Sequence, residues 1–305
     1  MKISVLTLAA ILIAAPAVGV ANELDDSFAA LQAAEAKKDP ALVKKLAVAT
    51  SELAREEAEM EEPADASLKQ TWKERTAWAR DVDKRCEYAL YAVSLQAEPA
   101  VAIDMLTTLE TLNPKSQYLD EGGYTRYFAV LQKTGEAAKI PAIAEKALKN
   151  LPNSADLLLV LLDGALAKNQ TGQALTYGQR LVNAMSKESK PEGMSDADWG
   201  SKRSLALGRG YWAVGMVNAA SGRYFEVDKA LRAALPHIRG NNAMTGPALF
   251  QLGLANFQLG VQTNNKKRVL EAATFSEQAS KIAFPQSQDA YRNTQAMRAQ
   301  AAKMQ

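Results

Sequence analysis

The chain has 305 residues, 48% of them hydrophobic, and a formal net charge of +2. That apolar content excludes wholesale disorder, and the length suits one extended helical array or two globular domains. A near-neutral balance with no long Lys/Arg tract gives no electrostatic footprint for nucleic acid.

The chain opens on a predicted secretory signal. Lys2 is a short positive region, Ile3 to Val20 is apolar, and Pro16 interrupts it. Gly19 and Ala21 are small residues at the −3 and −1 positions, so residues 1–21 are predicted to be removed and the mature chain to begin at Asn22. The competing reading is an uncleaved anchor, because a run of about 18 residues is only just long enough to span a bilayer. The small-residue exit favours cleavage. No Cys follows the apolar run, so no lipid attachment is expected, and nothing later is apolar enough to cross a membrane. The expected location is periplasmic or secreted.

Nearly every later segment shows helical periodicity and none alternates like a strand. Leu24–Ala36 and Pro40–Glu59 read as a first helical pair, with Pro40 at a helix start. Pro63–Ala66 reads as a loop, so 22–66 forms an N-terminal cap or diverged repeat. Ser67–Leu95 reads as a long amphipathic helix that Ser67 would cap. Its stripe of Trp72, Ala79, Val82, Cys86, Ala89 and Val93 makes the single Cys86 a core thiol rather than a nucleophile. Glu98-Pro99 restarts a helix that ends near Asn113-Pro114, and Gln117–Asp120 are four extra residues.

A 34-residue recurrence follows. Tyr124, Tyr127, Phe128, Leu131, Gly135, Ile140, Ala144, Ala147 and Pro152 fall at positions 4-7-8-11-15-20-24-27-32 of a unit. Adding 34 gives Leu158, Leu161, Leu162 and Ala165, then Ala174, Gly178 and Leu181. A polar stretch, Lys187–Ser201, reads as a loop or lid. The next unit holds Tyr211, Val214, Gly215, Gly222, Tyr224, Leu231 and Ala234. The last holds Leu249, Leu252, Gly253, Asn256, Gly260, Ala272, Ser276 and Ala279, with a seven-residue insertion near Val261–Asn265 splitting its hairpin. Gln286–Gln305 reads as a polar final helix that shields the last apolar face.

This period and pattern resemble the tetratricopeptide repeat (TPR), a helix–turn–helix unit that stacks into a solenoid. The resemblance covers residues 83–285 and implies an all-α, right-handed TPR-like solenoid over 67–286, closed by a capping helix over 287–305. It further implies that Gly215 and Gly253 sit where the two helices of a hairpin touch; Leu90, Phe128 and Leu162 depart from the small residue expected there. The run Lys190-Pro191-Glu192-Gly193-Met194-Ser195-Asp196-Ala197-Asp198-Trp199 is similar to exported TPR-domain proteins of environmental bacteria, which implies localisation and architecture but no activity.

Catalytic groupings are sparse. His237 is the only histidine, which removes any two-His metal site; beside Pro236 at a helix end it reads as a cap. No Gly-x-Ser-x-Gly motif or phosphate loop occurs, and Gly208-Arg209-Gly210 falls inside a helix pattern. The acidic run Glu56, Glu57, Glu59, Glu61 and Glu62 lacks the loop spacing of a calcium site and reads as a solvated helix end, and Asp196 and Asp198 read as helix N-caps. No metal and no cofactor is expected.

The resemblance places positions 2, 5, 9, 12 and 13 of each first helix on a concave groove. In the last two units these include Arg209, Trp212, Met216, Phe250, Leu254, Phe257 and Gln258, an apolar set with Arg209 and Gln258 at its rim. Such a patch suits a protein or peptide partner anchored on Trp212, unless the C-terminal helix or the Lys187 stretch covers it. The residues of the clamp that binds acidic chaperone tails are missing, so that partner is not implied. The expectation is an exported binding scaffold and not an enzyme. The alternatives are a structural envelope-assembly subunit, or a helical-toroid enzyme using Asp163 and Glu87.

Overall fold

The computed structural model describes residues 23–191 and 194–305. The expected signal segment, and Glu192-Gly193 of the polar stretch, lie outside the described residues. Within those limits the protein is all-α, with no strand. Consecutive helices pack on one another, compatible with a helical solenoid. The described residues divide into two compact units, one ending at Val93 and the other beginning at Ser94.

In the first unit, α1 (Glu23–Lys37) and α2 (Pro40–Ala58) form the expected pair. Asp39 starts α2 by accepting a hydrogen bond from the Leu42 amide at 3.1 Å, ahead of Pro40. Leu24, Leu31 and Ala34 on α1, with Val43, Ala47 and Ala54 on α2, supply the buried faces. The long helix α3 (Lys69–Gln96) buries Ala79, Val82, Cys86 and Ala89 completely or nearly so, as the stripe predicts. Polar clamps hold α3 to the pair. Arg75 reaches Asp25 at 2.8 Å and also bonds Glu57, and Arg85 bonds both Glu35 oxygens at 3.0 Å. Ser67 does not cap α3; its amide and hydroxyl both donate to Asp65 at 2.8 Å. Asp65 therefore organises a turn around Ser67, and the helix starts two residues later than expected.

The second unit continues with α4 (Pro99–Leu112), α5 (Tyr124–Lys133), α6 (Ile140–Ala147), α7 (Ala155–Ala167), α8 (Thr171–Lys187), α9 (Asp196–Ala220) and α10 (Tyr224–Ile238). It closes with α11 (Asn242–Gln262), α12 (Lys266–Ser280) and α13 (Ser287–Lys303). From α6 to α13 each helix packs on the next. The odd-numbered helices α5, α7, α9, α11 and α13 also touch in that order, while the even-numbered ones do not meet to the same extent. Residues taken from the 34-residue pattern form the core: Tyr124, Leu131, Ala144, Leu158, Leu162, Ala174, Leu181, Leu231, Leu252 and Ala272 are all buried.

Three stretches are irregular, and two of them fold differently from the expectation. The extra residues before α5 run into a π turn, Leu119–Gly123, where Gly122 takes φ 153°. A residue with a Cβ would be strained at that φ. The polar stretch after α8 is only partly a loop, because Asp196–Ser201 forms the first turns of α9, started by the Ser195 hydroxyl bonding the Asp198 amide. The insertion in the last hairpin does not split it. It lengthens α11 to Gln262 and starts α12 at Lys266, leaving Thr263–Asn265 as the turn. In each case helical propagation is favourable once a helix is nucleated, so added residues extend helices instead of leaving unpaired backbone.

The hairpin crossings depend on small residues. A Cβ at Gly215 would lie 2.5 Å from Leu231 Cγ, and one at Gly253 would overlap Ser276 Oγ. The register derived from the repeat therefore puts both glycines at the contact. Between α8 and α9, Gly178 and Gly210 face each other's backbone: a Cβ on either would sit 3.2–3.3 Å from the other's carbonyl oxygen. Phe128 and Leu162, bulky where the pattern wants a small residue, are nonetheless buried. A polar node crosses α10, α11 and α12: fully buried Asn256 donates to Asp228 Oδ1 at 2.6 Å and accepts from Arg268 Nε at 2.9 Å. None of the described helices is long and apolar enough to cross a membrane.

Candidate partner-binding face

On α7, Asp156 and Asp163 are seven residues apart; on α9, Lys202 and Arg209 are seven apart. Seven residues is close to two helical turns, so each pair shares a side of its helix. The structure matches them rung for rung. Lys202 Nζ lies 3.3 Å from Asp156 Oδ2, and Arg209 Nε donates to Asp163 Oδ1 at 2.6 Å. Both rungs join residues 46 apart in sequence, which fixes the register of α7 against α9.

Further bonds carry this ladder to the neighbouring odd helices. Thr125 Oγ1 on α5 donates to Asp156 Oδ2 at 2.8 Å. The Arg209 guanidinium stands 5.2 Å from the Trp212 ring centroid, a cation–π distance. Trp212 Nε1 donates to the Met244 carbonyl on α11 at 3.0 Å. Two sets of links thus cross these helices: Thr125–Asp156–Lys202 joins α5, α7 and α9, and Asp163–Arg209–Trp212–Met244 joins α7, α9 and α11. Counted in the repeat, Thr125 is at position 5, Asp156 at 2, Asp163 at 9, Arg209 at 2 and Trp212 at 5. The structure therefore bonds together side chains that the counting assigns to one groove.

The apolar residues expected beside them do not form one separate patch. Trp212 packs against the cluster of Val227, Leu231, Ala234 and Leu252. Phe250 meets Phe284 edge-on, ring centroids 6.1 Å apart. Leu254 and Phe257 lean on Val269, Ala272, Met297 and Ala301. Each of these residues, with Met216 and Gln258, is half-buried. Part of the cover comes from α13 and the segment before it, through Met297, Ala301 and Phe284. The reason is geometric: α11 touches α13 directly, so its half-exposed side chains lie within reach of that last helix.

Around Lys202 the electrostatics are strained. The carboxyls of Glu121 and Glu188 are both raised above the ordinary value, first by desolvation and next by the charge of Asp120, with Lys202 opposing the shift. Lys202, paired with Asp156 at 3.3 Å, offsets part of that shift.

The other sequence candidates are accounted for by local contacts. His237 Nδ1 lies 3.1 Å from Ser204 Oγ, linking α10 to α9, and Gly208 is bare where a Cβ would press on His237 Cβ. Glu87 is buried, at 5% exposure, while Asp163 is engaged by Arg209. Burial pushes the Cys86 thiol up to about 12, with help from Asp83, which removes the thiolate a nucleophile needs. Within the acidic run Glu57 pairs with Arg75, and Asp196 bonds Lys190 at 2.6 Å. Among the described residues no group of three or more His, Cys, Asp or Glu is placed to hold a metal ion.

The repeat counting that selected Arg209 and Asp163 also selects Asp156 and Thr125 when it is applied to the two preceding units. Lys202 had no such signal, because it precedes the first repeat position of its unit and adjoins a stretch that reads as a loop. No protein-family model matches the chain, and no curated protein matches it.

Proposed function

We propose that this chain is an exported TPR-like scaffold that binds a protein or peptide on the face of its odd-numbered helices. The observation that supports this reading is a pair of linked rows, Thr125–Asp156–Lys202 and Asp163–Arg209–Trp212, that share α7 and α9. It sets half-exposed recognition groups on rigid helices with their rotamers already restrained, which lowers the ordering cost of binding. Trp212 and Met216 offer the apolar contact, and Arg209 and Gln258 orient the partner from the edge. The signal-like start supports export, with the mature chain beginning at Asn22. The chain is read as a binding protein without catalysis of its own.

The test is an affinity capture from envelope extract with the processed chain, its first residue determined by N-terminal sequencing. A single stoichiometric protein, lost on Arg209→Glu while the melting temperature holds, supports the scaffold. Turnover of a substrate with no captured partner, or a recovered chain that still begins at Met1, would overturn the binding or the export part respectively.

A further inference from the structure

We draw no further inference here: the strongest candidate, the carboxylate cluster of Asp120, Glu121, Asp156 and Glu188 around Lys202 on the α5–α7–α9 face, is an acidic cluster with nothing in the structure that shows what would occupy it.

Discussion

Leu231 occupies the space that a side chain on Gly215 would need, so α9 and α10 approach each other closely at that point. Two opposing effects follow for any substitution there. In an exposed helix, replacing Gly by Ala is stabilising by about 1 kcal/mol because Gly is a poor helix former. At this crossing a Cβ would lie 2.5 Å from Leu231 Cγ, and Leu231 is fully buried with nowhere to turn. Overpacking therefore dominates. Gly215→Leu is expected to destabilise by about 1–3 kcal/mol, read from thermal or denaturant melts. An unchanged or raised midpoint would place Gly215 off the interface and break the assigned repeat register.

Legibility followed physical causes. The helices and their buried faces could be read because a 3.6-residue period is imposed by burial, and that period is written in Tyr124, Tyr127, Phe128 and Leu131 as plainly as it is folded. Gly215 and Gly253 were legible because only one residue type tolerates a crossing that close. Insertions were not, since sequence spacing shows that residues are added but not whether they propagate a helix, as at Val261 and Gln262, or form a π turn, as at Leu119–Gly123. On the candidate face, Arg209, Trp212 and Asp163 came from counting, but their pairing did not, because Asp163 and the Met244 carbonyl lie 46 and 32 residues away in sequence from the side chains they hold. Asn256 was visible as a repeat position, but nothing marked it as the centre of a bonded group with Asp228 and Arg268.

The Asp163–Arg209 rung is expected to add little stability. The Asp163 side chain is 49% exposed and that of Arg209 26%, so solvent screens much of their attraction. A double-mutant cycle with Asp163→Asn and Arg209→Gln is expected to give a coupling of about 0.2–1 kcal/mol, falling further at high salt. Partner capture should suffer more than stability does, because Asp163→Asn frees Arg209 to sample other rotamers. A coupling well above that range, unmoved by salt, would mark the pair as a stabilising element of the core and not as part of a recognition surface.

Acid should relieve the crowding around Lys202. Glu188 and Glu121 have carboxyls raised in the folded state, so that state binds more protons than the unfolded chain between the ordinary carboxyl range and the raised one. Stability then falls as pH rises through that window, and the repulsion is fully felt above it. Glu188→Gln removes one of the competing carboxylates. The variant is expected to melt slightly higher than the parent at neutral pH, with the gain vanishing below about pH 4, where the parent carboxyl is itself protonated. Both residues are exposed overall although their carboxyls are partly desolvated, so the effect should be small. A variant that melts lower at neutral pH would show that Glu188 is paired favourably with Lys202 and not crowded by its neighbours.

Trp212 is the residue on which the binding proposal turns, and its surroundings change what its removal should do. As a bare groove residue it would carry little packing, and Trp212→Ala would leave the melt unaltered. The structure gives it two structural duties instead: its ring packs on the Val227–Leu231–Ala234 cluster, and its Nε1 bonds the Met244 carbonyl at 3.0 Å. Full burial would make the truncation cost about 3–5 kcal/mol; a half-buried ring should cost less, about 1–3 kcal/mol in the free protein. Trp212→Phe separates the duties. It keeps a ring against the cluster and gives up the hydrogen bond, for about 1 kcal/mol. If the indole also anchors a partner, Trp212→Phe should weaken capture about tenfold or more while the melt moves only slightly, and titration calorimetry against the captured protein reads this directly. If capture by both variants falls only in proportion to their loss of stability, Trp212 serves the junction of α9 and α11 alone, and the recognition surface must lie toward Asp156 and Thr125.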